Sequence, residues 1–286
     1  MVIVFGSINL DLVARVERIP APGQTLSATA FAMAPGGKGA NQALAARRAG
    51  AEVALFGAVG RDTFAAAALA NLVAAGVRLD GIMPVDGATG IALINVDDRG
   101  ENAITVVPGA NHLARAAQVP DALLARGNTL LMQLEVPIAE VEALAARAHR
   151  AGARVVLNAA PAMHLSPALL CDVDVLIVNE HEASSFAMNW AIPADPMTFF
   201  AYAGEQFGLA AVLTLGPRGA LTVLDGQPVR AEPARVEVLD TTGAGDALAG
   251  ALAAALDRGV ALQGALAEGV SAGAYACTHH GAQPSS

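Results

Sequence analysis

Short apolar segments alternate with alanine-rich amphipathic segments along most of this 286-residue chain. The spacing predicts strands at 2–5, 52–56, 129–134, 154–157, 175–178 and 211–215. It predicts helices between them at 39–49, 63–75, 138–151, 181–188 and 196–207. Strands separated by helices form crossover units, which build a mostly parallel central sheet with helices on both faces. The pattern therefore predicts an α/β fold that binds ligands outside the carboxyl ends of its strands.

Two segments break this alternation. Residues 11–33 and 89–107 alternate polar with apolar side chains and contain few helix formers. Such segments are typical of antiparallel hairpins, and one of them directly precedes a glycine-rich stretch. We therefore expect a small β-sheet lid built from these two segments. The core would then consist of residues 1–10, 34–88 and 108–286.

The segment Asp240-Thr-Thr-Gly-Ala-Gly-Asp246 follows a strand-like run at 236–239 and opens an apolar helix that reaches about Leu256. Its glycine turn would leave the N–H groups of Gly243, Ala244 and Gly245 free at the positive end of the helix dipole. This arrangement binds anions, and Asp246 in the first turn could act as a base. Together they suit transfer of a phosphoryl group onto a hydroxyl. A Thr-capped buried helix with an acidic first turn is the structural alternative.

Lys38 is the only lysine among 17 basic residues, and it lies between glycines. Where arginine serves everywhere else, a single lysine suggests a site that needs a compact ammonium group. Chance survival of one lysine is the alternative. Gly36 and Gly37 permit close approach of the backbone, while Lys38 and Asn41 can share one face at a helix start.

Further polar side chains follow the predicted strands. Asn9 and Asp11 come after the first strand, and strand alternation puts them on one face. Glu135 follows the strand at 129–134. Amide, ammonium and carboxylate groups together suit a ligand with several hydroxyls, although each residue taken singly could be a turn, cap or surface residue.

Two other segments have both a structural and a functional interpretation. Asn179 and Glu182 have the spacing of a helix capping box, and Glu182 could also hold a hydrated Mg²⁺ near a triphosphate. The segment from Thr214 through Gly216 to Gly219 is either a hairpin turn or a loop under a nucleotide.

Composition excludes several classes of protein. A net charge of −9 with scattered arginines argues against a nucleic-acid surface. The longest apolar stretch, 247–256, is shorter than the ~18 residues that span a bilayer. The N-terminus lacks the basic region of a signal peptide, so we expect a cytoplasmic protein. Cys171 and Cys277 fit neither a disulfide framework nor a zinc site, and we expect both to be buried.

Taken together, the motifs resemble the ribokinase-like (PfkB-type) sugar kinase family across almost the whole chain. The segments that carry the resemblance are Gly6-Ser-Ile-Asn-Leu-Asp11, Gly36-Gly-Lys-Gly-Ala-Asn-Gln42, Gly109-Ala-Asn111, Met132-Gln-Leu-Glu135, Asn179-Glu-His-Glu182, Thr214-Leu-Gly216, Asp240 to Asp246 and Gly281-Ala-Gln-Pro-Ser285. The resemblance implies a kinase that uses ATP, Mg²⁺ and a monovalent cation such as K⁺. It also implies a homodimer formed through the β lids. Its closest branch phosphorylates the primary hydroxyl of a pentose, D-ribose, to give ribose 5-phosphate.

The resemblance also implies a role for each matching residue. Asp246 would be the base, and the amides of Gly243, Ala244 and Gly245 would form the anion hole. The sugar would be held by Asn9, Asp11, Gly37, Lys38, Asn41, Glu135 and Asp246. The nucleotide would contact Asn179, Glu182, Thr214, Gly216, Gly219 and Gly245, with Mg²⁺ bound to Glu182 through water. The monovalent cation would lie near Asp240, Thr242, Ala276, His279, Gly281 and Ser285.

Three departures from the family pattern keep alternatives open. His279 replaces an arginine, although that contact is expected through the backbone, and Val270 replaces a polar residue near the adenine. The sequence also stops just after Ser285, where relatives continue into a last helix, so we expect exposed apolar surface there.

A kinase of the same fold could act on a nucleoside or another sugar. A catalytically silent sugar- or nucleotide-binding protein is the alternative of another class, which the retained Asp246 disfavours. A dehydrogenase has the least support, because Gly250 comes two positions late for a dinucleotide fingerprint.

Overall fold

The computed structural model describes residues 1–283, and within them the chain forms thirteen strands and eight α-helices. The strands are β1 (Val2–Phe5), β2 (Asn9–Arg15), β3 (Ala30–Gly36), β4 (Val53–Gly60), β5 (Arg78–Val85), β6 (Gly90–Val96), β7 (Asn102–Val107), β8 (Thr129–Met132), β9 (Arg154–Asn158), β10 (Val175–Asn179), β11 (Ala210–Thr214), β12 (Ala220–Leu224) and β13 (Gln227–Ala231). The helices are α1 (Lys38–Arg48), α2 (Thr63–Ala74), α3 (Ile138–Ala151), α4 (Pro167–Cys171), α5 (Glu180–Asn189), α6 (Pro196–Phe207), α7 (Ala244–Asp257) and α8 (Leu262–Ala276).

Nine strands form the main sheet in the order β13-β12-β11-β10-β9-β8-β1-β4-β5. Pairing is parallel from β11 to β5, and β12 and β13 add an antiparallel edge. From β1 the chain continues to β4 and β5 on one side and later returns to β8 on the other. The crevice between the carboxyl ends of β1 and β8 is therefore the switch point where such sheets bind ligands. This architecture confirms the predicted fold class.

Side chains of the central strands alternate between two apolar layers. In β1, Val2 and Val4 belong to the layer shared with α1, α2, α7 and α8. Ile3 and Phe5 belong to the layer shared with α3 to α6. Helices therefore cover both faces of the main sheet, as the near-continuous apolar strands require. Within residues 1–283, no helix combines the length and hydrophobicity needed to cross a membrane.

A separate small sheet has the strand order β3-β2-β6-β7. β2 pairs with β3 and β6 pairs with β7 in antiparallel fashion, while β2 and β6 join the two hairpins in parallel. The strands come from the two segments that interrupt the alternation of strands and helices. The first hairpin, formed by β2 and β3, runs from Asn9 to Gly36 and is slightly longer than the predicted segment 11–33.

Some sequence predictions are wrong. Residues 236–239 form no strand and are exposed. The edge of the main sheet is already occupied by β13, and Leu239 N–H instead donates to the Cys277 carbonyl beyond α8. β8 ends at Met132, two residues early, because the chain turns there and Leu134 N–H bonds to Ala160 O. Cys171 is exposed at the end of the short α4, and Cys277 is only partly buried.

Helices α1 and α7 lie in unusually close contact at Gly250. A Cβ atom added there would lie 2.4 Å from the backbone oxygen of Gln42 and 2.7 Å from the Ala45 side chain. Only glycine allows the two helix backbones to approach this closely. The contact holds the start of α1 against the start of α7.

Candidate functional site

Glycines allow the start of α1 to lie close to the turn that follows β1. Gly37 has a left-handed φ of +87°, and a Cβ on it would lie 2.7 Å from Asn9 N. A Cβ on Gly36 would lie 2.4 Å from the Asp11 carboxylate, and one on Gly39 would meet the backbone of Gly6 and Ser7. A side chain at Gly37 or Gly39 would push α1 away, and one at Gly36 would displace Asp11. The glycines therefore place Lys38 beside Asn9 and Asp11.

Glu135 joins this turn from the next strand of the sheet. Its Oε2 accepts a hydrogen bond of 2.5 Å from Ser7 Oγ. The same oxygen accepts one of 3.1 Å from the Lys38 backbone N–H. Glu135 thus caps the N-terminus of α1, where a carboxylate complements the helix dipole. Glu135 lies beyond the carboxyl end of β8, at the crevice between β1 and β8.

Asn9 is oriented by Asn111, whose role sequence reasoning missed. Asn111 Nδ2 donates to Asn9 Oδ1 at 2.7 Å and to Ile8 O at 3.2 Å, while its own Oδ1 accepts from Ile8 N at 2.9 Å. Because Asn9 Oδ1 is already engaged, its amide NH₂ is left to face a ligand. The only sequence signal was the motif Gly109-Ala-Asn111, which carries no local indication of this long-range contact.

Asp246 lies in the first turn of α7 and is almost fully buried. Asn41 Nδ2 donates to its Oδ2 at 2.8 Å, and Gln42 Nε2 donates to its Oδ1 at 2.8 Å. Two neighbouring side chains of α1 therefore hold the two oxygens of one carboxylate. Asn41 was predicted at the site. No sequence pattern indicates a role for Gln42 beyond its place in the glycine-rich motif.

The N-terminus of α7 has no side-chain cap. Gly243 is the N-cap residue with a left-handed φ of +77°. The Ala244 N–H donates to Thr241 O at 3.2 Å, so that amide is turned toward its own loop. Helix geometry leaves the Gly245 and Asp246 N–H groups without an intrahelical acceptor. Apart from the adjacent residues and the backbone of α7 itself, no atom of the described residues lies within 4 Å of where a Cβ on Gly245 would be, so the space beside it is open.

The site places one ammonium group among carboxylates. The negative charge of Asp246 raises the pKa of Lys38 against the opposing effect of burial, and Glu135 and Glu182 add to the rise. Burial raises the pKa of Asp11 from its ordinary 3.8 to about 6, and repulsion from Glu135 and Asp246 contributes further. These carboxylates come from separate elements. Their mutual influence shows that the fold brings them to one region.

Asn179 and Glu182 form the predicted capping box at the start of α5. Glu182 N–H donates to Asn179 Oδ1, and Asn179 N–H donates to Glu182 Oε2, both at 2.8 Å. Burial raises the pKa of Glu182, while the Asn179 N–H, the Lys38 ammonium and His181 oppose the rise. The capping role is therefore present, and the same carboxylate interacts with the central ammonium group.

The segment from Thr214 to Gly219 connects β11 to β12 as an antiparallel hairpin. A Cβ on Gly219 would lie 2.0 Å from Ala231 O, so glycine is required where the turn meets β13. Arg218 forms an ion pair with Glu180 at the start of α5. Thr214 and Gly216 therefore lie at the carboxyl edge of the sheet, close to the capping box.

Asp240 ties the turn before α7 to the segment after α8. Its Oδ1 accepts hydrogen bonds from Thr242 N at 2.9 Å and from Thr242 Oγ1 at 2.6 Å. Its Oδ2 accepts from Gly281 N at 2.9 Å. Burial opposes ionisation of Asp240, but these hydrogen bonds outweigh it and hold the pKa below its usual range.

The other residues predicted near the monovalent cation lie at the C-terminal end of α8. Ala276 O accepts from His279 N at 3.2 Å. The His279 ring contacts the Tyr275 ring and the Thr278 hydroxyl. Ser285 lies outside the described residues. Val270 is buried in the core layer of α1, α2, α7 and α8.

Comparisons with known proteins identify the family to which the chain belongs. The model of the pfkB family carbohydrate kinases matches residues 1–286. Ribokinase of Schizosaccharomyces pombe is 36% identical over 93% of this chain and 88% of its own length, and ribokinase of Haemophilus influenzae is 36% identical over 99% and 94%. A structure of Arabidopsis thaliana ribokinase complexed with ribose and ATP has a TM-score of 0.86 at 28% identity, covering 99% of this chain and 94% of that one. The chain belongs to the pfkB family of carbohydrate kinases.

The raised pKa of Asp11 predicts a pH-dependent effect on stability. Because the folded-state pKa of about 6 exceeds the ordinary 3.8, the Asp11 carboxyl favours folding at low pH, and this contribution is lost as pH rises through 6. Asp11→Asn mimics the neutral form. We expect it to be more stable than the wild type by ~1–3 kcal/mol at pH 8 and nearly equal to it at pH 4.

Thermal unfolding of both proteins between pH 4 and pH 8 measures this difference. Asp225→Asn, at an exposed turn, controls for the loss of a surface charge. A difference between Asp11→Asn and the wild type that stays constant across the pH range would contradict the prediction.

Proposed function

We propose that this chain is an ATP-dependent kinase that transfers the γ-phosphate to the primary hydroxyl of a pentose, and that the pentose is D-ribose. The single observation that carries the proposal is Asp246, a buried carboxylate held by two amides beside the open N-terminus of α7. The similarity to ribokinases supports the choice of sugar. A kinase that draws on ATP would act in the cytoplasm.

Asp246 would take the proton of the accepting hydroxyl as that oxygen attacks the γ-phosphorus. A bond forms between the sugar oxygen and phosphorus, the bond to the β-phosphate oxygen breaks, and ADP leaves. The first-turn amide of Gly245, with Gly243 and Ala244 shaping the turn, would stabilise charge on the transferring group. Placement of base and anion hole in one helix turn fixes their relative position.

Sugar hydroxyls would bind to the polar groups that line the turn after β1 and the start of α1. Asn9 offers an amide NH₂, because its oxygen is engaged by Asn111. Lys38 donates, and carboxylates accept, so the set can bind hydroxyls as either donors or acceptors. The proposed sugar ligands are Asn9, Asp11, Gly37, Lys38, Asn41, Glu135 and Asp246.

The nucleotide would lie along the carboxyl ends of β10 and β11, against Asn179, Thr214, Gly216, Gly219 and Gly245. Glu182 fits a hydrated Mg²⁺, since it is a single buried carboxylate with one oxygen already capping α5. The ion would neutralise phosphate charge. Its ligand would be Glu182 through water.

The turn at Asp240 fits a monovalent cation, because it offers oxygen atoms that can bind a metal ion, including a carboxylate that its hydrogen bonds keep ionised. Such a cation would hold the turn that supports the α7 N-terminus. The proposed ligands are Asp240, Thr242, Ala276, His279 and Gly281, with Ser285 beyond the described residues.

A substrate panel tests the proposed function. ADP release should be measured with ribose, 2-deoxyribose, other free sugars, adenosine and inosine, in potassium or sodium salts at matched ionic strength, with and without a magnesium chelator. We expect the highest kcat/KM for ribose, loss of turnover without Mg²⁺ and higher rates in potassium. Ribose 5-phosphate should be the product.

Other outcomes identify the alternatives. Faster turnover of a nucleoside, with ribose ignored, would replace the ribose assignment and retain the kinase. Binding of a sugar by calorimetry without phosphate transfer to any acceptor would identify a silent binding protein. Equal rates in potassium and sodium would remove the proposed monovalent site.

Replacement of Asp246 by asparagine tests the base. We expect kcat to fall ~10²–10⁴-fold, because the amide cannot accept the proton. Sugar affinity should change far less, since the other sugar ligands remain. The structure also predicts some loss of stability, because the new NH₂ group would face one of the N–H donors of Asn41 or Gln42 and leave it without an acceptor.

Asp174→Asn is the matched control. Asp174 lies just before β10, and its Oδ2 accepts a hydrogen bond of 2.7 Å from Val155 N at the amino ends of the strands, away from the site. This control should keep wild-type kcat. If Asp246→Asn retains more than about a tenth of wild-type kcat, well short of the loss expected of a missing base, Asp246 is not the base.

We propose that the small sheet, residues 11–33 and 89–107 with their flanking strand ends, is a lid, and that two chains form a homodimer through it. Phe31 and Met33 are 64% and 56% exposed on one face, and Ile104 is 54% exposed on the other. A sheet that leaves large apolar side chains uncovered is suited to burial against a second copy. The two-fold contact would be isologous.

Analytical ultracentrifugation tests this assembly. The wild type should sediment as a dimer, and the triple variant Phe31→Ser, Met33→Ser and Ile104→Ser should be monomeric. Met188→Ser removes an apolar side chain that is 75% exposed on α5, and it should remain dimeric. A monomeric wild type would exclude the proposed dimer.

A further inference from the structure

We propose that Gln42 is a positioning residue for the base, acting through a directed chain of buried amides that begins at Gln133. This inference rests on the proposed role of Asp246. Gln42 lies at the end of the first turn of α1, directly after Asn41, and its side chain is fully buried. It does not reach the open part of the site, so its contribution is to hold another residue.

Every polar atom of the Gln42 side chain is engaged. Its Nε2 donates to Asp246 Oδ1 at 2.8 Å and to Asn158 Oδ1 at 3.0 Å. Its Oε1 accepts from Gln133 Nε2 at 2.7 Å. An ionised carboxylate can only accept hydrogen bonds, so Gln42 must turn its NH₂ group toward Asp246. The donor-to-acceptor direction of every hydrogen bond in this series of amides follows from that one requirement.

Because Gln133 donates to Gln42, its own side-chain oxygen remains unpaired. With its NH₂ group turned to Gln42, Gln133 Oε1 is buried and has no hydrogen-bond partner within the described part of the chain. An unpaired buried acceptor typically costs ~1–3 kcal/mol. Gly6 leaves room for this amide, because a Cβ there would lie 1.9 Å from Gln133 Oε1. The fold thus tolerates an unfavourable group where it orients Gln42.

Asn41 and Gln42 together fix the plane of the carboxylate. Each gives one N–H to a different oxygen, so rotation about the last side-chain bond of Asp246 would break at least one hydrogen bond. Asn41 is itself oriented by Gln283, whose Nε2 donates to Asn41 Oδ1 at 2.9 Å. Each carboxylate oxygen retains a lone pair that can receive a proton. Such control matters because misplacement by about 1 Å can reduce a rate ~10²-fold.

A purely structural role for Gln42 predicts a different result. If the amide only fills space between α1, α7 and the ends of β8 and β9, its loss lowers stability and leaves the chemistry of folded protein intact. A positioning role predicts lower kcat with little change in sugar KM. It also predicts that the loss disappears once the base itself is absent, because residues that act as a unit are not additive.

The test uses Gln42→Met, which keeps length and removes both hydrogen-bonding groups. We expect kcat to fall ~10–100-fold, in line with a displaced base, while the sugar KM changes less than about threefold. In the double variant Gln42→Met with Asp246→Asn, kcat should equal that of Asp246→Asn alone. Gln118→Met is the control, since Gln118 Nε2 donates to Gly57 O and Gly81 O away from the site. That control should lower the melting temperature and keep wild-type kcat.

Two results would overturn the proposal: a folded Gln42→Met variant with more than about half of wild-type kcat, or losses that multiply in the double variant. If Gln42→Met does not fold, Gln133→Met carries the test, because it frees Gln42 to rotate. We expect a smaller, several-fold loss of kcat there, and an unchanged kcat would contradict the role. If the wild type transfers no phosphate, the proposed function is refuted. If the wild type is active and Asp246→Asn is inactive, the proposed function stands, and the Gln42 variants then decide the role of Gln42.

Discussion

The hydrogen bonds from Asn41 and Gln42 to Asp246 join residues about two hundred positions apart in sequence, with 205 positions between Asn41 and Asp246. They connect the first turns of two helices that cover the same face of the main sheet. The glycines before α1 bring that helix onto the turn after β1, and the contact at Gly250 brings α7 onto α1. The proposed sugar-binding groups after β1 and Asp246 in α7 meet because of these contacts.

Electrostatics explain why the chain keeps one lysine there. Asp11, Glu135, Glu182 and Asp246 come from four different elements, and burial disfavours the charged form of such groups. The Lys38 ammonium attracts three of them, Asp246, Glu135 and Glu182, and its own pKa rises in return. A compact, flexible cation can interact with several carboxylates around it, whereas a planar guanidinium pairs best with one. The single lysine is thus the central charge of the site.

Much of this arrangement was predictable, because it depends on local patterns. The apolar run of β1 and the helix Pro196–Phe207, with its Pro at the first turn and Gly208 at its end, carry clear signals. β5 escaped prediction because it is an edge strand with Gly81 and Pro84 in it. α8 contains three glycines and is stabilised by packing on α7 rather than by propensity. Residues 236–239 have a strand-like sequence but no sheet edge to join.

The motifs place Asn9 and Glu135 just after strands and Asp246 at a helix start, and the structure has them in these positions. Gln42, Asn111 and Gln133 were not assigned roles, because their function is to orient other side chains. Each acts across about ninety or more positions of sequence, as with the 91 positions between Gln42 and Gln133. No local pattern encodes which buried amide will face which carboxylate. Such residues become visible only when hydrogen-bond directions are traced.

The contact at Gly250 also bears on how this enzyme fold could be redesigned. Because no side chain fits between α1 and α7 there, the two helices form a seam, and changes in it would displace Asp246. The outer strands of the small sheet differ, because they carry large apolar side chains that are exposed in the single chain. Any redesign of the substrate site therefore has to leave the seam between the helices unchanged.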